Sequence, residues 1–266
     1  MLSVIILGHN RHDRVKALID SVKVLIPIEK EIILIDNGSD PPYESDVKIL
    51  RFPNILLAKA RNEAIRQAKG EYILMLDDDI TIGHFSLNIF EIFDKHPLVK
   101  MIVPDKIDRY PDYDIEYSVF KEGITGNLKH IKDSEIGLVD FGCQSYLADA
   151  AILKELLYDE CFGENRKGVG HATREESALQ ANIRKQGYEI YYAPEKFEIT
   201  HHIVGGGFDI KKHSYWTAYN NVLFIRKYCK HPNIKKYLWF IILCGSIFLG
   251  RRSFWKGMEG YFDGLK

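Results

Sequence analysis

Twice within the first 80 residues a short β-branched run is followed by a helical pattern and then by another apolar run that ends in aspartate. The first cycle joins "LSVIIL" (Leu2 to Leu7) to "EIILID" (Glu31 to Asp36) through a helical stretch from about Arg14 to Val24. The second runs from "VKILRF" through "LLAKARNEAIRQAKG", a helix expected to stop at Gly70, to "YILMLDDD". Strands that alternate with helices build parallel sheets, with the crossover helices covering both faces. The expected fold class is therefore α/β, Rossmann-like, with a mostly parallel sheet flanked by helices. Ligands in such sheets bind beyond the carboxyl ends of the strands. Asp36 and Asp77 to Asp79 both fall at such ends.

Three consecutive aspartates closing a buried strand repel one another, and each raises the cost of ionising its neighbour. Positive charge is required nearby, either from a basic side chain or from a divalent cation. A hard cation such as Mg or Mn takes carboxylate oxygens and commonly binds a substrate phosphate as well. Two chemistries fit. "DDDIT" matches D-x-D-x-T, which resembles the haloacid dehalogenase phosphatases, with Asp77 as nucleophile. The other use is a D-x-D site that grips a diphosphate.

Farther along, a helical pattern is expected from about His84 to Val99, and "DKIDRYPDYDIEYSVF" reads as irregular strands or loop. "DAAILKELLYDECFG" reads as helix, and "TREESALQANIRKQGYEIYYAPE" as helix, glycine stop and strand. "VGGGF" is a break, suited to a loop that closes on substrate, and marks a change of composition near Gly205 to Gly207. From Lys211 to Met258 the chain carries ten Lys/Arg and no Asp/Glu, leaving 26 basic against 37 acidic residues elsewhere, a net of −11. Within this basic tail "YLWFIILCGSIFLG" (Tyr237 to Gly250) is too short to span a bilayer, which takes about 20 residues. With Lys235, Lys236, Arg251 and Arg252 at its ends it suits a helix lying on an anionic membrane, or else a buried core or dimer contact. Four widely spaced cysteines and no N-terminal signal pattern suggest a reduced, cytoplasmic chain, and the basic tail would place it peripherally on the inner membrane face. Neither G-x-G-x-x-G nor G-x-x-x-x-G-K-[ST] occurs, and the tail is too apolar to suggest nucleic-acid binding.

The order of the motifs resembles family 2 glycosyltransferases with the GT-A fold. "VIILGHNR" is similar to that family's first strand and Asn-containing turn, and "EIILIDNGSD" to its second strand and turn. "AKARNEAIRQAKGEYILMLDDD" resembles its Asn-bearing helix and D-x-D strand, and "DECFGE", "REESALQANIRKQGYEIYYAP" and "THH" its later region. The resemblance covers about Met1 to His202. It implies a metal-dependent inverting transfer from a UDP-, GDP- or dTDP-linked sugar to a hydroxyl of a glycan or lipid-linked acceptor, in cell-surface polysaccharide or glycoconjugate synthesis. Residues 1–100 would be the nucleotide-sugar half, 101–207 the acceptor and catalytic half, and 208–266 a helical tail.

The same resemblance implies that Asp36 recognises the base beside the turn of Gly8, His9 and Asn10. Asp77 and Asp78 would lie near the ribose, Arg61 and Asn62 would approach the nucleotide, and Asp79 would bind Mn or Mg with His201, His202 being the alternative. Glu176 stands where the family has an aspartate base. Thr173 and Glu176 also form T-x-x-E, a capping box, so a structural role is open. Glu176 falls in line with Leu179 and Ile183, which places it on the expected buried face, while Glu175 points about 100° away. A catalytically silent nucleotide-sugar-binding protein is the remaining alternative.

Overall fold

The computed structural model describes residues 1–109, 114–116, 123–124, 145–165, 168–169, 173–202, 210–229, 232–234, 236, 239–240 and 254–266. The described residues fall into two compact units, the first drawn from 1–130, 143–157 and 182–205, the second from 131–142, 158–181 and 206–266.

The first unit opens with both expected cycles: β1 (Leu2–Gly8), α1 (His12–Leu25), β2 (Lys30–Asn37), β3 (Lys48–Phe52), α2 (Leu57–Gln67) and β4 (Tyr72–Asp77). Then come β5 (Ile80–Phe85), a 3-10 turn at Leu87–Phe90, α3 (Glu91–Lys95), β6 (Val99–Val103), β7 (Asp105–Arg109), β8 (Asp114–Glu116), β9 (Gly123–Ile124), β10 (Tyr146–Asp149) and α4 (Ala150–Leu156). β11 (Glu164–Asn165) and β12 (Gly168–Val169) form a small hairpin of the second unit. The chain continues through α5 (Glu175–Lys185), β13 (Glu189–Tyr192), β14 (Phe197–His202), α6 (Ile210–Tyr228) and α7 (Phe254–Leu265).

The main sheet has the order β3-β2-β1-β4-β10-β6-β13-β9. β3, β2, β1 and β4 are mutually parallel, as are β6 and β13, whereas β10 runs antiparallel to both its neighbours. The sheet is thus α/β and mostly parallel, as the two cycles require. Every residue of β1 is buried, which explains its unbroken apolar run: a strand covered on both faces has no polar side to alternate with. Each fully buried Ile or Leu in this layer contributes roughly 2 kcal/mol. A second sheet, β5-β14-β7-β8, begins directly after the aspartates.

Three expectations change. The helix anticipated from His84 to Val99 is confined to the 3-10 turn and α3, because β5 extends to Phe85, held by its pairing with β14. Gly70 does not end α2, which stops at Gln67 with Ala68 already extended. Gly70 is instead a close-approach site, since a Cβ there would lie 2.4 Å from the Ser3 backbone nitrogen. The helix expected beyond Asp149 ends early, at Leu156, after Asp149 caps it through Ala151 and Ile152 nitrogens.

In the second unit Phe162, Ala178 and Phe224 form one buried cluster, and Ala218, Val222, Ile225, Trp239 and Tyr261 form another. α7 meets α6 through glycines: a Cβ on Gly260 would lie 2.0 Å from the Tyr215 carbonyl oxygen. Most of the apolar run from Tyr237 to Gly250, and the "GGGF" loop, lie outside the described residues. Among the described residues no helix is long and apolar enough to cross a membrane.

Candidate functional site

The site grows from strand register. In the parallel pairs Gly8 stands opposite Asp36 on one side, and Leu7 opposite Asp77 on the other. The carboxyl ends of three adjacent strands, β2, β1 and β4, therefore bring Asp36, the turn at Gly8, and Asp77 to one edge of the first unit.

Each aspartate meets a positive partner, and two of them share Arg11. Asp77 Oδ1 accepts a hydrogen bond from Arg61 Nη2 at 2.9 Å, and Arg61 is only 1% exposed. Arg61 is thus a buried counter-charge that fixes Asp77. It does not stand in solvent. Asn62, beside it on α2, is also buried. Asp78 accepts from the His9 backbone nitrogen at 2.8 Å and from Arg11 Nη1. Arg11 Nη1 also reaches Asp79 Oδ2, at 2.8 Å. Sequence reasoning missed Arg11, although the parallel adjacency of β1 and β4 places the residues after Gly8 beside those after Asp77.

Burial raises the pKa of Asp78, and the nearby Asp79 charge adds to this, so that His9 and Arg11 do not bring it back to its ordinary value. Burial acts on Asp79 in the same sense, but there His201 and Arg11 outweigh it and hold the carboxyl below its ordinary value. Two adjacent carboxylates are thereby pushed apart.

His201 lies on β14, in register with Ile80 of β5 and Asp108 of β7. Its Nδ1 contacts Asp108 Oδ1 at 2.8 Å, and its Nε2 faces Asp79 Oδ1 at 3.5 Å. Burial would lower its pKa, but Asp108 and Asp79 together push it up to about 9. Asp79 Oδ1 is buried and has no well-formed hydrogen bond. A buried carboxylate oxygen and an imidazole nitrogen that face each other suit a divalent cation. The Asp108 contact on the far ring nitrogen is the usual support of a metal-binding histidine. Among the described residues no cluster of three or more such side chains occurs. His202 turns the other way, as strand alternation requires. Its Nε2 contacts Thr81 Oγ1 at 2.8 Å, and it lines a cavity with Arg14, Ser21 and Ile82.

Asp36 is 2% exposed, and both its oxygens accept backbone N–H groups of the following turn, from Ser39 and Tyr43, each at 3.0 Å. The turn it organises also holds Asn10, whose backbone takes φ 56° and whose side chain accepts from the Asp40 nitrogen. A Cβ on Gly8 would press on the Tyr43 ring at 3.0 Å. Gly8, His9, Asn10 and Asp36 therefore form one braced turn cluster.

Glu176 belongs to the second unit. Of the acidic pair Glu175 is the buried member, 2% exposed, while Glu176 is half-buried. This corrects the expected facing. Glu175 is followed three and four residues on by the fully buried Ala178 and Leu179, so the buried stripe runs through it. α5 begins at Glu175, one residue later than a cap at Thr173 would start it, and the Thr173 hydroxyl accepts from Asn220 Nδ2 at 3.0 Å. Just before α5, Arg174 holds φ 75°, a left-handed value that costs a non-glycine residue about 1 kcal/mol or more. Its Nε donates to Asn221 Oδ1 at 2.8 Å, and its guanidinium lies over the Phe224 ring. The buried asparagines of α6 thus fix the start of α5, and they carried no signal in the sequence.

The fold is shared with solved glycosyltransferases. S. aureus TarS residues 1–349 in complex with UDP-GlcNAc superimposes with a TM-score of 0.58 at 16% identity, over 88% of this chain and 69% of that one. A mannosyltransferase of Pyrobaculum calidifontis in complex with GDP-Man and Mn2+ gives 0.56 at 15% identity, over 85% of this chain and 63% of that one. An uncharacterized glycosyltransferase of Haemophilus influenzae is 34% identical over 86 residues, and the match spans only 29% of its length. The likeness to the haloacid dehalogenase phosphatases remains local, since the aspartates close the fourth strand of the chain and Asp77 is bound to Arg61. The family model of glycosyl transferase family 2 matches residues 3–146, more than half of the sequence. With its GT-A architecture and its aspartates at the carboxyl edge of the sheet, the chain belongs to glycosyl transferase family 2.

Proposed function

We propose that this protein transfers a sugar from a nucleotide-sugar donor to a hydroxyl of a glycan or lipid-linked acceptor, in cell-surface polysaccharide or glycoconjugate synthesis. The observation that carries this reading is the edge where Asp77, Asp78 and Asp79 meet Arg11, Arg61 and His201. The donor lies across that edge. Its base sits beside the braced turn of Gly8, His9 and Asn10, where Asp36 retains a second lone pair on each oxygen. Its ribose lies by Asp77 and Asp78.

Asp79 and His201 would hold Mn or Mg, with Asp108 orienting the imidazole. When bound, the cation neutralises the negative charge that grows on the departing diphosphate. Arg11 adds a second positive charge at the same place, and in a partly buried setting such charges stabilise a developing anion more than they do in water. Glu176 takes the proton of the acceptor hydroxyl as its oxygen attacks the anomeric carbon. The bond from that carbon to the diphosphate breaks, the nucleoside diphosphate leaves, and configuration at the carbon inverts. The left-handed Arg174 immediately before α5 supports this role, since backbone strain concentrates where side-chain position matters. The enzyme works at the inner face of the membrane, held there by its basic, aromatic tail.

The test is a thermal-shift panel of UDP-, GDP- and dTDP-sugars, each with Mn, with Mg and with EDTA. A ligand bound only by the folded state raises stability by mass action. The expected result is a cation-dependent shift with one nucleotide that is absent in Asp79→Asn. No shift with any donor would overturn the reading.

A further inference from the structure

Arg11 already stands at the edge that a cation would enter. It follows the braced turn and precedes α1, and its backbone is fixed from both sides: its nitrogen donates to the Tyr43 hydroxyl at 2.9 Å, and its carbonyl accepts from the Val15 nitrogen at 3.0 Å. The side chain is held at one point only. Nη1 alone contacts Asp78 Oδ1 and Asp79 Oδ2, and the side chain is 40% exposed. A guanidinium presents a fork of N–H donors, and those on Nε and Nη2 bond to no described residue. Burial opposes the charge of Arg11, but Asp78 and Asp79 outweigh burial and hold its pKa above the ordinary arginine value.

The balance of charge at this edge then depends on Arg11. Asp77 is neutralised by Arg61. Asp78 and Asp79 set two negative charges against the single positive charge of Arg11. A divalent cation on the His201 side of Asp79 makes that balance positive, and a diphosphate makes it negative again. Without Arg11, the cation alone would bring the two carboxylates to neutrality. Like charges on the two oxygens of one carboxylate repel, so Arg11 disfavours the cation by itself and favours it together with an anion. We infer that Arg11 couples the two ligands of this edge: it holds Asp78 and Asp79 in the absence of ligand, resists a divalent cation that arrives alone, and binds through its open N–H groups a diphosphate that arrives with one. This deepens the proposed transfer and rests on the cation reading of Asp79 and His201. Cation and nucleoside diphosphate therefore bind cooperatively, each raising the affinity for the other by the same factor.

Arg11→Gln removes the charge and leaves the backbone contacts with Tyr43 and Val15, which do not use the side chain. Mn alone is titrated into wild type and variant, with free Mn followed by electron paramagnetic resonance. UDP, GDP and dTDP are then titrated by calorimetry at saturating Mn. The expected result is a pair of opposite changes, each of roughly tenfold: Arg11→Gln binds Mn alone more tightly and the nucleoside diphosphate more weakly. Arg11→Lys keeps the charge without the fork, and binds Mn alone as the wild type does. Damage to the fold of the edge would weaken both ligands, so loss of Mn and nucleotide together overturns the coupling and makes Arg11 a structural residue. Unchanged Mn affinity in Arg11→Gln also overturns the coupling, and leaves the cation reading standing. Absence of Mn binding to wild type and Arg11→Gln, alone and with each nucleotide, overturns the cation reading and the coupling with it.

Discussion

Asp78 and Asp159 are both largely buried carboxylates in contact with a cation, yet their acidities move in opposite directions. Asp159, in the second unit, accepts from the Cys161 nitrogen at 3.1 Å, the Tyr228 hydroxyl at 2.6 Å and Lys227 Nζ. Burial opposes its ionisation, but these partners outweigh burial and bring its pKa down to about 2. Asp78 has Arg11 and a backbone N–H, and still its pKa rises, because burial and the charge of Asp79 prevail. One carboxylate is satisfied by the fold. The other keeps a residual electrostatic cost at the edge where we propose that the donor binds.

The sharpest way to break this comparison is to remove charge from the edge. Asp79→Asn is expected to lower kcat by roughly a thousandfold, the range found when one group that stabilises a leaving anion is deleted. The same loss should follow EDTA, and Mn should restore activity to the wild type alone. A variant that stays active in EDTA would show that Arg11 suffices without a cation. Glu176→Gln tests the other half, with an expected loss of about a hundredfold or more in kcat at unchanged donor affinity. Weaker donor binding, read by titration calorimetry, would assign Glu176 to the donor site instead.

The contrast also explains what could be read in the chain beforehand. β1, β2 and β4 were legible because strands covered on both faces are written as continuous apolar runs, and polar turn residues set off α1, α2 and the more exposed strand β3 between them. The aspartates were legible because charge at the end of such a run is anomalous. Arg11 and Asp108 were not, since one lies in a turn and the other in an irregular polar stretch, and only register across β1–β4 and β7–β14 brings them to the site. Glu175 was placed on the wrong side because residues three and four ahead of it, Ala178 and Leu179, define the buried stripe as well as Leu179 and Ile183 do. Asn220 and Asn221 sit inside an apolar helix pattern, where a buried polar group gives no periodic signal.

A smaller effect is expected one residue behind the cation. Asp108→Asn removes the carboxylate on the far nitrogen of His201 while retaining nearly the same volume. Loss of such a supporting contact weakens metal binding by roughly ten- to a hundredfold. Mn titration monitored by electron paramagnetic resonance would measure this without reference to turnover. Unchanged affinity in Asp108→Asn, with affinity lost in Asp79→Asn, would make Asp108 a packing residue and leave the cation assignment in place.

The smallest effect addresses the comparison itself. At pH 7 Asp159→Asn should cost about 1–2 kcal/mol of stability, because the ionised form is favoured in the folded state. The sign follows from a folded pKa of about 2 against about 3.9 in the unfolded chain. The contribution is complete above the unfolded value and is lost as pH falls through the folded one, so urea melts of wild type and variant should converge between about pH 4 and pH 2. Asp78→Asn should behave differently, costing less than about 0.5 kcal/mol at pH 7, since its charge is disfavoured by folding. Equal losses in the two variants would mean that the edge is as well satisfied as the Asp159 cluster, and the electrostatic ground for placing a ligand there would be gone.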